Sequence, residues 1–340
     1  MRTISALVLC LILSVSVIAH HSDAGLDMDS TVTFEGTIKE FHFRNPHMYF
    51  IVEADNPNGE PVEWSIQSGS AIGASRRGWT RDTLVPGERV LVSAHPARNG
   101  NPYGLLESID KEGGLGVGPA PGEVEVTAST TSLEGRWLAK FSEVPSFPGG
   151  IDGFFSLQLK LTEKGAAARD AYDPLSSENP ESQCIGRPSP GMLVSSTRYP
   201  IEIRFNDNEE TITIRSQYWD EVRTVYMDGR KHPIGGERAH SGHSIGRWEG
   251  DTLVVDTRDF ADHRSPYQIG VPSGAQKHVV ERYRLIEEGT RIAVEFMLED
   301  PEYLAAPLIH ARELIYVPDI DMTPFECDME ATSRFLRTEG

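Results

Sequence analysis

The stretch HVVERYRLI, His278 to Ile286, with RIAVEFML, Arg291 to Leu298, decides the fold. Both runs have the period-two pattern of strands, in which successive side chains leave on opposite faces. In the second run Ile292, Val294, Phe296 and Leu298 form one apolar face. In the first, Val279, Glu281, Tyr283 and Leu285 share one face. His278, Val280, Arg282, Arg284 and Ile286 share the other. Two arginines suit water better than a core, so Glu281 is expected to point inward. An inward carboxylate must be paired, hydrogen-bonded or protonated.

Further strands lie on either side. Glu210 to Arg215 alternates Thr and Ile, and Val222 to Met227 precedes the Asp228-Gly229 turn. Ser244 to Trp248 and Thr252 to Thr257 flank the tight turn Glu249-Gly250-Asp251, and Ile309 to Val317 extends the series. Strands in such succession predict a large antiparallel meander over residues 131–340, closed or nearly closed so that no edge is left unpaired. Gly135-Arg136-Trp137 is similar to the Gly-x-Trp that opens lipocalin barrels, so a lipocalin-like barrel is the expectation. A short helix is expected over Gly165 to Asp173, and a polar loop over Pro174 to Pro190.

Upstream, the segment EGGLGVGPAPG, Glu112 to Gly122, is too rich in Gly and Pro for a packed element and marks a linker over residues 111–130. Before it, strands are predicted at Thr31 to His42, Met48 to Ala54, Pro61 to Ile66, Glu88 to His95 and Gly104 to Ile109. A helix over Ser68 to Arg77 falls between the third and fourth. Five strands with a helix in that place are the order of an OB-type barrel, here over residues 20–110. The fold class is therefore mainly β.

The chain begins with Met1-Arg2, then an apolar run from Ala6 to Ile18, with small residues up to Ala19. This reads as a secretory signal peptide over residues 1–19, cut after Ala19, and places the mature protein in the periplasm or outside the cell. The run is too short for a membrane anchor. The 340 residues carry 32 Lys and Arg against 51 Asp and Glu, a net charge of −19, and losing Arg2 makes it more acidic still. Nucleic acid is thereby a poor partner, and anionic lipid would repel the chain. Of three cysteines, Cys10 leaves with the signal. Cys184 and Cys327 remain as an even pair in an exported chain, where a disulfide is the expectation.

Residues 20–110 resemble a family of small secreted bacterial proteins whose domain has no assigned function. The likeness rests on His20-His21-Ser22, Asn45-Pro46-His47, Arg76-Arg77-Gly78-Trp79-Thr80 and Leu84-x-Pro86-Gly87. The later part resembles a second group of secreted bacterial proteins, through Tyr199 to Ile203, Glu221 to Arg230, Gly242 to Thr257 and His278 to Tyr283. These resemblances imply export and independent modules, and bring no activity.

Three functions follow from the side chains. The first is a barrel that holds a small, partly apolar molecule, with acid–base chemistry as an extension. Asp256 ends the strand TLVVD and is placed to approach Glu281, with His243 or Arg247 as partner. His243, Asp256 and Glu281 are the catalytic candidates, and Arg247, His278 and Tyr283 the ligand-binding ones. The competing reading of Glu281 is an internal ion pair that holds barrel register. The second function is copper binding. Cleavage after Ala19 exposes the α-amine of His20 beside its imidazole, and His21 and His47 could add nitrogen ligands. The third is a non-catalytic interaction module. The sequence has no Gly-x-Ser-x-Gly elbow, phosphate loop or dinucleotide fingerprint.

Overall fold

A computed structural model describes residues 25–111, 124–140, 142, 150–334 and 336. The expected signal peptide, residues 1–19, and residues 112–123 of the expected linker lie outside the described residues.

The first barrel follows from alternation. Strands β1 (Val32–His42), β2 (Tyr49–Asp55) and β3 (Pro61–Gln67) are followed by helix α1 (Ala71–Ser75), then β4 (Arg89–Pro96) and β5 (Tyr103–Lys111). They close in the order β1-β2-β3-β5-β4, with β3 and β5 parallel, which is the expected OB-type order. Ile38, Phe50, Val52, Ile66, Val92 and Ile109 fill the interior. Gly36 is required where β1 crosses β2, since a Cβ there would lie 2.4 Å from a methyl of Val52. Helix α1 is five residues, shorter than the expected span. Ser70 caps its start by accepting from the Gly73 N–H at 3.1 Å, and Gly78 turns the chain away with φ +85°.

The second barrel is larger. β6 (Gly135–Leu138) leads into helices α2 (Gly150–Gln158), α3 (Glu163–Asp170) and α4 (Gly191–Val194). Then come β7 (Ile201–Asn206), β8 (Thr211–Ser216), β9 (Val222–Tyr226), β10 (His243–Glu249) and β11 (Thr252–Arg258). β12 (His278–Ile286), β13 (Arg291–Glu299), β14 (Leu308–Tyr316) and helix α5 (Met329–Ser333) complete it. The nine strands close in the order β10-β11-β12-β13-β14-β6-β7-β8-β9. All neighbours run antiparallel except the closing pair, β9 and β10, which run parallel. The alternating residues of β12 and β13 point inward as expected: Val279, Tyr283, Ile292, Val294, Phe296 and Leu298 belong to one core, which Leu253 and Val255 of β11 join from the face opposite to the one expected.

The segment between β6 and β7 adds a feature the sequence did not suggest. Residues 174–190 form the expected loop, but its end and the residues that follow are enclosed: every residue from 186 to 197 is buried. Met192, Leu193 and Val194 join the barrel core. The polar groups of this segment can be buried because the barrel supplies partners. Ser189 donates to Glu281 of β12. Arg312 of β14 donates to the carbonyls of Leu193 and Val194, both at 3.0 Å. The barrel is thus filled by its own chain, where an open lumen was the expectation.

The two barrels are also in contact. Tyr199 donates to Ser70 at 3.0 Å, and Arg76 donates to Gln217 and to the carbonyl of Arg198. The C-terminal segment returns to the first barrel. Arg44 pairs with Asp328 at 2.6 Å, the Asp328 N–H reaches the Asn45 carbonyl at 2.7 Å, and Tyr49 donates to Glu330 at 2.9 Å. Cys184 and Cys327 form the expected disulfide, which ties this segment to the chain just before the buried residues 186–197, with Cα atoms 5.9 Å apart.

Candidate functional site

Strand β12 divides the candidates between its two faces. Glu281 points inward as expected and is fully buried, opposite Val255 of β11. Its partner is neither His243 nor Arg247. It is Arg223 of β9, itself 4% exposed, whose Nη2 donates to the Glu281 carboxylate and, at 3.0 Å, to the Tyr283 hydroxyl. Tyr283 in turn donates to Glu281 at 3.1 Å, and Ser189 donates to the other carboxylate oxygen. Burial acts to lower the Arg223 pKa, but Glu281 and Tyr283 outweigh it and hold the pKa above its ordinary value. The carboxylate receives three donors and no solvent. This is the geometry of a closed ion pair.

Asp256 does not approach Glu281. It pairs in register with Val280, so it leaves β11 on the outer face. There His278 Nε2 lies 3.0 Å and His232 Nε2 3.1 Å from Asp256 Oδ1, and His243 Nδ1 lies 2.9 Å from His232 Nδ1. Burial would raise the Asp256 pKa, but the two imidazoles and Arg258 prevail and lower it to about 2. Burial and His232 push the His243 pKa down. The expected trio of His243, Asp256 and Glu281 is therefore split by the thickness of the sheet. The cause is parity: 243 and 256 lie on outer positions, 281 on an inner one. Arg247 also lies outside, 2.7 Å from Glu249 on its own strand. Of the ligand-binding candidates, Tyr283 is sealed inside with Glu281 and His278 lies outside with Asp256.

The metal expectation falls partly outside view. His20 and His21 lie outside the described residues. The His47 Nδ1 sits 3.3 Å from the carbonyl of Ser68. Among the described residues no group of three or more His, Cys, Asp or Glu is placed to hold a metal ion.

One opening lies at the rim of the large barrel, where β11 and β13 end and β12 begins. It is a cavity of about 600 Å³. Leu304, Ala305, Ala306 and Pro307 give it an apolar wall, and Asp259, Lys277, His278 and Asp300 line it as well. His278 is the one sequence-chosen residue found there. Lys277 precedes β12 on the inward parity of 279, 281 and 283 and is 1% exposed. Its ammonium lies 4.2 Å from the centre of the Phe260 ring and 5.2 Å from that of Tyr267. Asp300 accepts the Gly274 N–H at 2.7 Å through one oxygen. Lys277 Nζ, the other Asp300 oxygen, Asp259 Oδ2 and the Tyr267 hydroxyl are buried without a hydrogen-bond partner among the described residues. Buried polar atoms are rarely left so, and three of these four belong to residues that line the cavity. Burial lowers the Lys277 pKa to about 7, against the pull of Asp300 and Glu221, and raises that of Asp300.

Sequence reasoning missed Lys277, Asp300 and Arg223. For Lys277 the signal was present, because the inward series of β12 extends one step back to 277. Asp300 likewise extends the inward series of β13. Arg223 had no local signal, since β9 meets β12 only across the barrel interior.

Residues 8–107 match the model of a family of unknown function, DUF6152. No curated protein and no solved structure matches the chain.

Proposed function

We propose that this is an exported, periplasmic protein whose nine-strand barrel binds a small, partly apolar molecule, and that the molecule sits in the rim cavity. The plug of residues 186–197 occupies the interior that a lipocalin-like barrel would leave for its ligand. The observation that carries the reading is the set of unpartnered buried atoms, Lys277 Nζ, Asp300 Oδ1 and Asp259 Oδ2, beside an apolar wall. Apolar lining with a few convergent polar groups is the usual composition of a ligand site. The carboxylate of Glu281, satisfied on all sides, belongs to the framework of the barrel. Any acid–base chemistry passes to His278, which lines the cavity and holds Asp256 at 3.0 Å.

Native mass spectrometry of protein purified from the periplasm tests this. Wild type should carry a small molecule that Ala306→Trp, which fills the cavity, does not. Equal retention by both proteins, or none by either, overturns the proposal.

A further inference from the structure

We propose that the Lys277 amine forms a reversible imine with a small neutral aldehyde or ketone held in the rim cavity. The inference rests on the reading of that cavity as a ligand site and names the class of its ligand.

Two buried cations on one inner surface make the contrast. Arg223 has a carboxylate, a phenol and, at 3.4 Å, the Thr257 hydroxyl as acceptors. Lys277 is as deeply buried, on the inward parity of Glu281 and four residues before it, and has none among the described residues. A lysine held only by the rings of Phe260 and Tyr267 is poorly placed to keep its proton. Its pKa of about 7 leaves roughly half of it as the free amine at neutral pH, and a desolvated amine of this kind is the usual nucleophile toward carbonyl carbon.

The surroundings select the electrophile. Asp259 and Glu299 line the cavity against Arg258 as the permanent cation, so an anionic ligand is disfavoured. Leu304 and Ala306 favour an apolar body. Asp300, whose free oxygen is unpartnered and whose pKa burial raises, can hold a proton near the amine.

The step balances without an oxidant or reductant. The nitrogen lone pair forms the C–N bond while the carbonyl π pair moves to oxygen. One N–H proton passes to that oxygen and gives a carbinolamine. The Asp300 carboxyl protonates the hydroxyl, the C–O bond breaks and water leaves. The second N–H proton returns to the Asp300 carboxylate, and the neutral imine remains.

The test treats the mature wild-type protein with butanal and sodium cyanoborohydride at pH 7, then maps the modified lysines by peptide mass spectrometry. Lys39 and Lys164 serve as internal references, because carboxylate partners raise their pKa values. Lys277 should be alkylated about a thousandfold faster than either, from the ratio of unprotonated amine. Labelling at Lys277 no faster than at the references overturns the imine. Butanol binding, followed by ligand-observed NMR on wild type and Ala306→Trp, separates the two readings. Cavity-dependent butanol binding without labelling defeats the imine alone. Absence of both defeats the cavity as well. An Asp300→Asn protein that folds and binds butanol should label about tenfold more slowly, by loss of a positioned proton donor. An unchanged rate removes Asp300 from the step.

Discussion

Replacing Glu281 by Gln keeps the shape of the side chain and removes its charge. Three donors converge on the carboxylate: Arg223 Nη2, the Ser189 hydroxyl and the Tyr283 hydroxyl. A glutamine offers them one oxygen, and its own NH₂ group must face at least one of the remaining donors. The guanidinium of Arg223, 4% exposed, keeps its charge and loses its counter-charge. Breaking a buried pair from one side costs about 3–5 kcal/mol, a third or more of the stability of an ordinary domain. Urea unfolding followed by near-ultraviolet circular dichroism measures it. The double replacement Arg223→Met with Glu281→Leu removes both charges, and should recover most of the loss, since apolar substitutes for a buried pair are often neutral or stabilising. Glu281 does not line the cavity, so the single variant should keep its ligand while folded. A loss below about 1 kcal/mol, or a double variant no better than the single, refutes the assignment of this pair to the framework.

Four further outcomes follow. His263 is 6% exposed, with Nε2 donating to the Gly186 carbonyl at 2.9 Å and Nδ1 accepting the Ser265 N–H at 3.1 Å, a neutral tautomer; burial lowers its pKa to about 3. The unfolded chain takes up a proton near pH 6.5 that the folded one refuses, so stability is whole above that pH and falls below it, by about 2 kcal/mol from this residue between pH 7 and pH 5. His263→Asn should flatten that slope in acid titrations of unfolding, and an unaltered slope contradicts it. Reduction of Cys184–Cys327, separated by 143 residues, should destabilise the protein by about 2–5 kcal/mol, and equal melting with and without reductant argues otherwise. Lys277→Met should raise the melting temperature, because an unpartnered buried charge is held at a cost to stability; a fall of several degrees would make Lys277 structural. Protein that begins at His20 should bind Cu(II) more tightly than protein with one added N-terminal glycine, and equal affinity in calorimetry removes the α-amine from the site.

The strands were legible because each alternates over its own length. His278 to Ile286 needed no adjustment, and the five strands of the first barrel lie within a residue or two of their expected ends. Strand β6 is four residues, too short for periodicity to register, and Gly, Pro and Ser around the short apolar run Met192 to Val194 make the plug read in isolation as a loop. Partners distant in sequence, among them Glu281 of β12, Arg312 of β14 and His263, satisfy its polar groups when it is buried. The candidate site was half legible for the same reason. Local alternation placed Glu281 inside, whereas its partner Arg223 depends on closure of the barrel. Asp256 was misplaced because one strand alone does not say which of its faces meets the core: Val254 and Val255 are both fully buried.

The division of β12 bears on which genetic changes the chain can survive. Outward positions carry His278 and inward ones Glu281 and Tyr283, with Lys277 continuing the inward series. Deletion of a single residue inside the strand would send every side chain beyond it to the opposite face, exposing the carboxylate and driving an arginine into the apolar interior. Substitutions there act one at a time, but a change of length acts on the whole strand at once. Insertions and deletions should therefore collect in the turns that bound β12, while its nine residues are inherited as a unit of fixed length.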